Sequence, residues 1–162
     1  MELHSIAARA VALLKEKGLT VATAESCTGG LIAAAITDVA GASRVFGTGV
    51  VSYSCDCKQK LLGVSADTLA AEGAVCAATA AGMAEGVRRV GDAAIGVSVT
   101  GEAGPIAAEN HPVGTVFIGL ADGEGTVTEE HHFEGDRTAI RRQAVCAVFS
   151  LLIRRLEGGA VC

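Results

Sequence analysis

The 162-residue chain has no tryptophan, a single tyrosine and four phenylalanines, yet half of its residues are hydrophobic. Without aromatic bulk, the core has to be built from Ala, Val, Leu and Ile. With 21 glycines, helices and strands can approach closely, as in a layered α/β fold. The length suits one domain with a real core. Basic residues are outnumbered by acidic ones, 13 to 18, for a formal charge of −5. No basic stripe with interleaved aromatics is present, which argues against nucleic-acid binding. An anionic substrate would have to be held locally, against the overall field. No uninterrupted apolar run approaches the ~20 residues of a membrane span. Residues 1–12 lack a basic segment followed by an apolar core and a cleavage site, so no secretory leader is expected and a cytoplasmic location is. The six cysteines, Cys27, Cys55, Cys57, Cys76, Cys146 and Cys162, are expected as free thiols, most of them small core hydrophobes. Cys55-x-Cys57 has no second pair to complete a zinc site, so no metal is expected.

The spacing of Leu3, Ile6, Ala7, Ala10, Val11 and Leu14 predicts a helix over 3–17, closed by Gly18. Residues 19–24 read as a buried strand, and Thr28 to about Asp38 as a helix with Gly41 at its exit. A second strand is expected over 49–54, then a short helix over 56–62 ending at Gly63. Ser65 is placed to cap a helical turn closed by Gly73. A helix over 76–90 carries Arg88 and Arg89 in its last turn, where cations suit the dipole. Residues 93–100 are nearly all apolar, as in a central strand buried on both faces. A glycine-rich turn over 101–105 and a loop over 106–112 follow. Strands over 113–121 and 126–133 then flank the hairpin turn Asp122-Gly123-Glu124-Gly125. Asp136 caps a last helix running to Leu156, and the chain from Gly158 onward is expected to fray. This order implies an α/β fold: a three-layer α/β/α sandwich with a mixed, mostly parallel sheet, in one domain over residues 1–162, with no repeat or linker.

The run Ala24-Glu25-Ser26-Cys27-Thr28-Gly29-Gly30 joins the first predicted strand to the next helix. A serine on such a turn, followed by two glycines, lies beside unpaired backbone N–H groups that can hold an anion or a developing oxyanion. Two more loops follow predicted strands, Tyr53–Lys58 and Thr100–Pro105. Ligands in open α/β sheets bind beyond the carboxyl ends of strands, so the three loops form one site if their strands are parallel neighbours. The Walker and dinucleotide glycine motifs are missing. So is a G-x-S-x-G elbow, because Ala24-Glu25 precede Ser26. A Ser-His-Asp triad lacks its base: His4 lies in the first helix, His111 on a loop, and the adjacent His131 and His132 point to opposite faces of a strand. What remains as a base for Ser26 is Lys58. A helix lysine is ordinarily solvated, like Lys60; as a base, its pKa must fall below the ordinary value of about 10.4 through burial or a nearby cation. The hydroxyl of Tyr53 is placed to relay a proton or orient the amine. Thr100 reads either as a strand-ending β-former or as a substrate hydrogen bond. Arg137, Arg141 and Arg142 open the last helix, where cations oppose the dipole. Arg137 and Arg141 share a face, and phosphate binding is one use for them. Glu25 is placed to orient the serine turn, and Glu102 to meet substrate or water.

Taken together, these pieces resemble the CinA C-terminal domain family, the competence/damage-inducible proteins, whose standalone members are nicotinamide-nucleotide amidases. The resemblance runs through the Ser26 turn, Gly49-Val50-Val51-Ser52-Tyr53-Ser54 with Lys58, and Leu61-Leu62-Gly63-Val64. It continues in Val99-Thr100-Gly101, Ala103-Gly104-Pro105, Pro112-Val113-Gly114-Thr115-Val116 and Gly135-Asp136-Arg137 with Arg141. It implies hydrolysis of the carboxamide of nicotinamide mononucleotide, giving nicotinate mononucleotide and ammonia. Ser26, Lys58 and Tyr53 are the implied catalytic residues. Thr28, Gly29, Gly30, Thr100, Gly101, Gly104, Arg137 and Arg141 are the implied substrate-binding ones. Backbone N–H groups around Gly29 and Gly30 are expected to stabilise the oxyanion, and Thr100, Gly101 and Arg141 to hold ribose or phosphate. No metal or organic cofactor is implied. The expected partner is a small-molecule pyridine nucleotide, with neither nucleic acid nor membrane, and a homo-oligomer is expected from the Ala- and Gly-rich surface. The N-terminal pyrophosphatase-type domain of larger members is expected to be absent. The family's third loop usually continues after Gly-Pro with more glycines, where this chain has Ile106 to His111. Glu102 replaces a typically apolar residue, and Cys55 and Cys57 flank Lys58 in place of more usual polar and small residues. Two alternatives stay open: a non-catalytic nucleotide-binding or regulatory module, and a serine amidase acting on another amide.

Overall fold

The computed structural model describes residues 2–158. The tail beyond Gly158, with Cys162, lies outside the described residues. Five strands form one sheet in the order β2-β1-β3-β4-β5. They are β1 (Val21–Glu25), β2 (Phe46–Val51), β3 (Ile95–Gly101), β4 (Thr115–Asp122) and β5 (Gly125–His132). Helix α1 (Leu3–Lys17) precedes β1, and α2 (Leu31–Thr37) joins β1 to β2. Helices α3 (Cys55–Leu62), α4 (Ala66–Glu72) and α5 (Ala77–Val90) join β2 to β3, and α6 (Arg137–Leu156) ends the fold. β1 pairs in parallel with both β2 and β3, whereas β3–β4 and β4–β5 are antiparallel. The expected three-layer sandwich with a mixed sheet is present: only β4 runs against the other four strands. A parallel return needs a crossover, usually a helix. Residues 102–114 between β3 and β4 contain none, so the chain turns back on itself.

Helices α1, α2 and α6 cover one face of the sheet, and α3 and α5 the other. The buried stripe of α1 is Ile6, Ala7, Ala10, Val11 and Leu14, the face its periodicity predicts. Gly18, at φ 63°, closes it in a left-handed conformation. The larger core joins this stripe to Ile32, Ile36, Ile118, Phe149 and Leu152. On the opposite face the layers meet through small residues. A Cβ on Gly96 of β3 would stand 2.1 Å from the Ala84 carbonyl oxygen of α5, and one on Gly86 of α5 would stand 2.0 Å from that of Leu62. Helix α5 therefore rests on backbone. Gly96→Ala is expected to cost about 2–3 kcal/mol by overpacking, measured as a lower urea midpoint at unchanged slope.

Strand β2 begins at Phe46, earlier than its sequence suggests, because Gly47 and Gly49 dilute the β-branched signal that pairing with β1 overrides. Of the described cysteines, Cys27 and Cys76 are buried, Cys57 and Cys146 half-buried, and Cys55 exposed, all as free thiols. The expectation that most cysteines are core residues is therefore corrected: Cys55 sits at the exposed start of α3, and Cys76 caps α5 by accepting the Thr79 N–H on Sγ. No described helix is long and apolar enough to cross a membrane.

Candidate functional site

Because β1 lies between two parallel neighbours, the loops after β1, β2 and β3 converge. They line a cavity of about 280 Å³ whose walls include Ser26, Tyr53, Lys58, Gly101 and Arg137.

The serine turn is built by Glu25. This residue ends β1 and is 1% exposed. Its Oε2 accepts hydrogen bonds from Thr28 Oγ1 at 2.6 Å, Gly30 N at 3.2 Å and Ile32 N at 3.0 Å, and its Oε1 accepts one from Ala33 N at 2.9 Å. A carboxylate at this point satisfies the orphan donors of α2 and complements its dipole. Gly29 and Gly30, at φ 61° and 105°, take conformations that side chains resist, so α2 starts at Leu31 and not at Thr28. The expected oxyanion donors are thereby already engaged: Gly29 N donates to Ser26 O at 3.0 Å, and Gly30 N to Glu25. Thr28, Gly29 and Gly30 shape the turn and do not line the cavity. Arg141, expected at ribose or phosphate, does not line it either. Its Nε donates to Cys27 O at 3.1 Å and its Nη2 to Thr28 O at 2.9 Å. A cation placed against the dipole of its own helix is thus used to tie α6 to the serine turn.

Ser54 caps α3 by accepting the Cys57 N–H at 3.1 Å, and Lys58 follows on the inward face. Lys58 has no exposed surface. Its Nζ lies 2.8 Å from Ser26 Oγ and donates to Ser52 O at 2.7 Å. By contrast, Lys60 is solvated and pairs with Asp56 at 2.8 Å. Burial pushes the Lys58 pKa below the ordinary lysine value, and the neighbouring ionisable groups Cys55, Cys27, Glu109 and Cys57 pull it partly back. A neutral amine here keeps an N–H on the Ser52 carbonyl and offers its lone pair to the Ser26 hydroxyl proton. Burial also pushes the neighbouring Cys27 thiol up to about 11, which keeps Cys27 itself from competing as a thiolate.

Tyr53 is 58% exposed, and its hydroxyl accepts from Arg137 Nη2 at 2.8 Å rather than meeting Lys58. Arg137 Nη1 donates to Gly104 O at 2.6 Å. The guanidinium has no carboxylate partner among the described residues, which leaves its charge unpaired at the cavity rim. The Thr100 hydroxyl is engaged on Ala74 O at 2.7 Å. Gly101 passes against β4, where a Cβ would stand 2.7 Å from Val116 Cγ2. Glu102, 4% exposed, accepts from the Ala108 and Glu109 N–H groups, both at 2.8 Å. Glu109 in turn accepts from Ala74 N at 2.8 Å and Val75 N at 3.0 Å. These two carboxylates hold the stretch that replaces the expected glycines. Glu109 had no sequence signal beyond belonging to that stretch.

The model of the CinA C-terminal domain matches residues 3–156. A CinA-like protein of Frankia casuarinae is 50% identical over 146 residues, 90% of this chain and 34% of its own length. One of Geobacter sulfurreducens is 48% identical over 145 residues, 89% of this chain and 35% of its own. The chain therefore spans about a third of the length of these curated relatives. A crystal structure of a competence-damaged protein (CinA) superfamily protein from Klebsiella pneumoniae matches at TM-score 0.95 and 34% identity, over 98% of this chain and 99% of its own. The competence/damage inducible protein CihA from Agrobacterium tumefaciens matches at TM-score 0.91 and 39% identity, over 96% and 95%. Sequence and fold agree from the first helix to the last, and the chain belongs to the CinA C-terminal domain family.

Proposed function

We propose that this domain is a serine amidase that hydrolyses nicotinamide mononucleotide to nicotinate mononucleotide and ammonia. The observation that carries the reading is the wholly buried Lys58 amine 2.8 Å from Ser26 Oγ. Lys58 takes the Ser26 proton as Oγ attacks the carboxamide carbon. The oxyanion donor is the Cys27 N–H, which directly follows the nucleophile and bonds no other residue among those described. The resulting ammonium of Lys58 protonates the carboxamide nitrogen as its C–N bond breaks and ammonia leaves, and water then hydrolyses the acyl-enzyme with Lys58 again as base. Arg137, steadied by Tyr53 and Gly104, receives the phosphate.

The test is turnover of nicotinamide mononucleotide, with one ammonia expected per nicotinate mononucleotide and none from Ser26→Ala. Equal ammonia from Ser26→Ala would sink the nucleophile assignment, and nucleotide binding without product would leave a binding module. The base adds a pH signature. Because the neutral amine is the active form, kcat/KM is expected to rise with pH along a limb whose midpoint lies below the ordinary lysine range.

A further inference from the structure

Glu109 lines the cavity with Ser26 and Lys58 but has no part in the chemistry above. Its carboxylate is clamped on two consecutive backbone N–H groups, Ala74 at 2.8 Å and Val75 at 3.0 Å. Its own N–H is held by Glu102 at 2.8 Å, and Thr100 Oγ1 on Ala74 O closes the circuit. The end of β3, the following loop and the turn before α5 thus form one wall with a carboxylate set into it. Even Gly73 is shaped to this clamp: at φ 82°, a Cβ there would stand 2.7 Å from Glu109 Oε2.

Once Ser26 gives up its proton, Lys58 becomes an ammonium in a place that disfavours charge. The groups that favour its charged form are Cys27 in the turn after β1, Cys55 and Cys57 on α3, and Glu109. Of these, Glu109 alone is a carboxylate. Glu25, on β1, is engaged by the start of α2, and Arg137, from α6, brings charge of the opposite sign to the rim.

We infer that Glu109 is a positioning residue of the Ser26–Lys58 site, its clamped carboxylate supplying the fixed negative charge that stabilises the ammonium form of Lys58 while the serine attacks. The role parallels the buried aspartate behind the histidine of a serine-protease triad, which stabilises the cation without taking its proton. The inference rests on the Ser26–Lys58 amidase reading.

The chain has four lysines, Lys15, Lys17, Lys58 and Lys60, so the Lys58 Cε signal of lysine-labelled protein can be followed by NMR and assigned with Lys58→Met. Glu109→Gln is expected to lower the Lys58 titration midpoint and to cut kcat by up to about tenfold, the factor equivalent to one pKa unit. Glu109→Asp keeps the charge but draws it back by one methylene. It is expected to give an intermediate midpoint, and it supplies the reading if the glutamine variant does not fold. Glu102→Gln loosens the same wall but keeps the Glu109 charge, and is expected to move the midpoint less than Glu109→Gln does. A Glu109→Gln midpoint equal to the wild type, or an equal displacement in Glu102→Gln, overturns the inference. The titration needs no substrate. A wild type that releases no ammonia would defeat the amidase reading, while the midpoint would still decide the role of Glu109.

Discussion

Lys58→Met is expected to abolish turnover and to raise the melting temperature of the same protein. Methionine fills the channel of the lysine stem without a group to desolvate. Loss of a general base lowers the rate by about 10²–10⁴-fold, and no histidine stands in the cavity to replace it. Stability moves the other way. The folded state holds the Lys58 pKa below its ordinary value, chiefly through burial, so the unfolded chain binds the proton more tightly. The resulting destabilisation is complete below the folded pKa, shrinks as pH rises toward the unfolded value of about 10.4, and then vanishes. The advantage of Lys58→Met is therefore largest below the folded pKa of Lys58, about 1–3 kcal/mol, and fades as pH rises toward alkali. Calorimetry of both proteins across this range checks the sign. An advantage that grows with pH, or a variant less stable than the wild type at neutral pH, contradicts a base held neutral by burial.

Lys58 also shows where sequence reading stops. Its candidacy followed from elimination, since none of the four histidines was placed to serve Ser26. Its burial is a tertiary fact: the Ser54 cap and the position of α3 under the sheet decide it, and no local pattern separates Lys58 from the solvated Lys60 two residues on. Elements with strong periodicity or explicit caps, such as the α1 stripe, the Asp136 cap of α6 and the hairpin after β4, could be read directly. The glycine-thinned start of β2 could not, nor could the antiparallel return after β3. Site residues divide the same way. Types and spacing placed the serine turn with the Tyr53–Lys58 and Thr100–Pro105 loops at one end of the sheet, provided their strands were parallel neighbours. They could not reveal that the Gly29 and Gly30 N–H groups are already engaged, which depends on the folded shape of the turn itself. Nor could they reveal that Arg141 grips the turn from behind, because hydrogen bonds over more than a hundred residues of separation leave no local trace.

Glu25→Gln is expected to cost about 3 kcal/mol or more and to remove most turnover. The carboxylate accepts hydrogen bonds from one hydroxyl and three backbone N–H groups, and every partner is a donor. A glutamine offers one oxygen and turns an NH₂ toward the rest, so buried donors are left facing donors. The start of α2 also loses the charge that complements its dipole. For a chain of this size the melting temperature is expected to fall by about 10 °C. The serine follows, because Ser26 is the next residue and the turn carrying it is gripped by the Glu25 carboxylate on one side and by Arg141 on the other. A displacement of Oγ by about 1 Å from the Lys58 amine is enough to lower the rate about 10²-fold. Glu25→Gln assayed well below its own melting temperature separates the two effects. If the remaining folded protein releases ammonia at the wild-type rate, Glu25 serves the helix alone. If stability and turnover fall together, the carboxylate that caps α2 also positions the nucleophile.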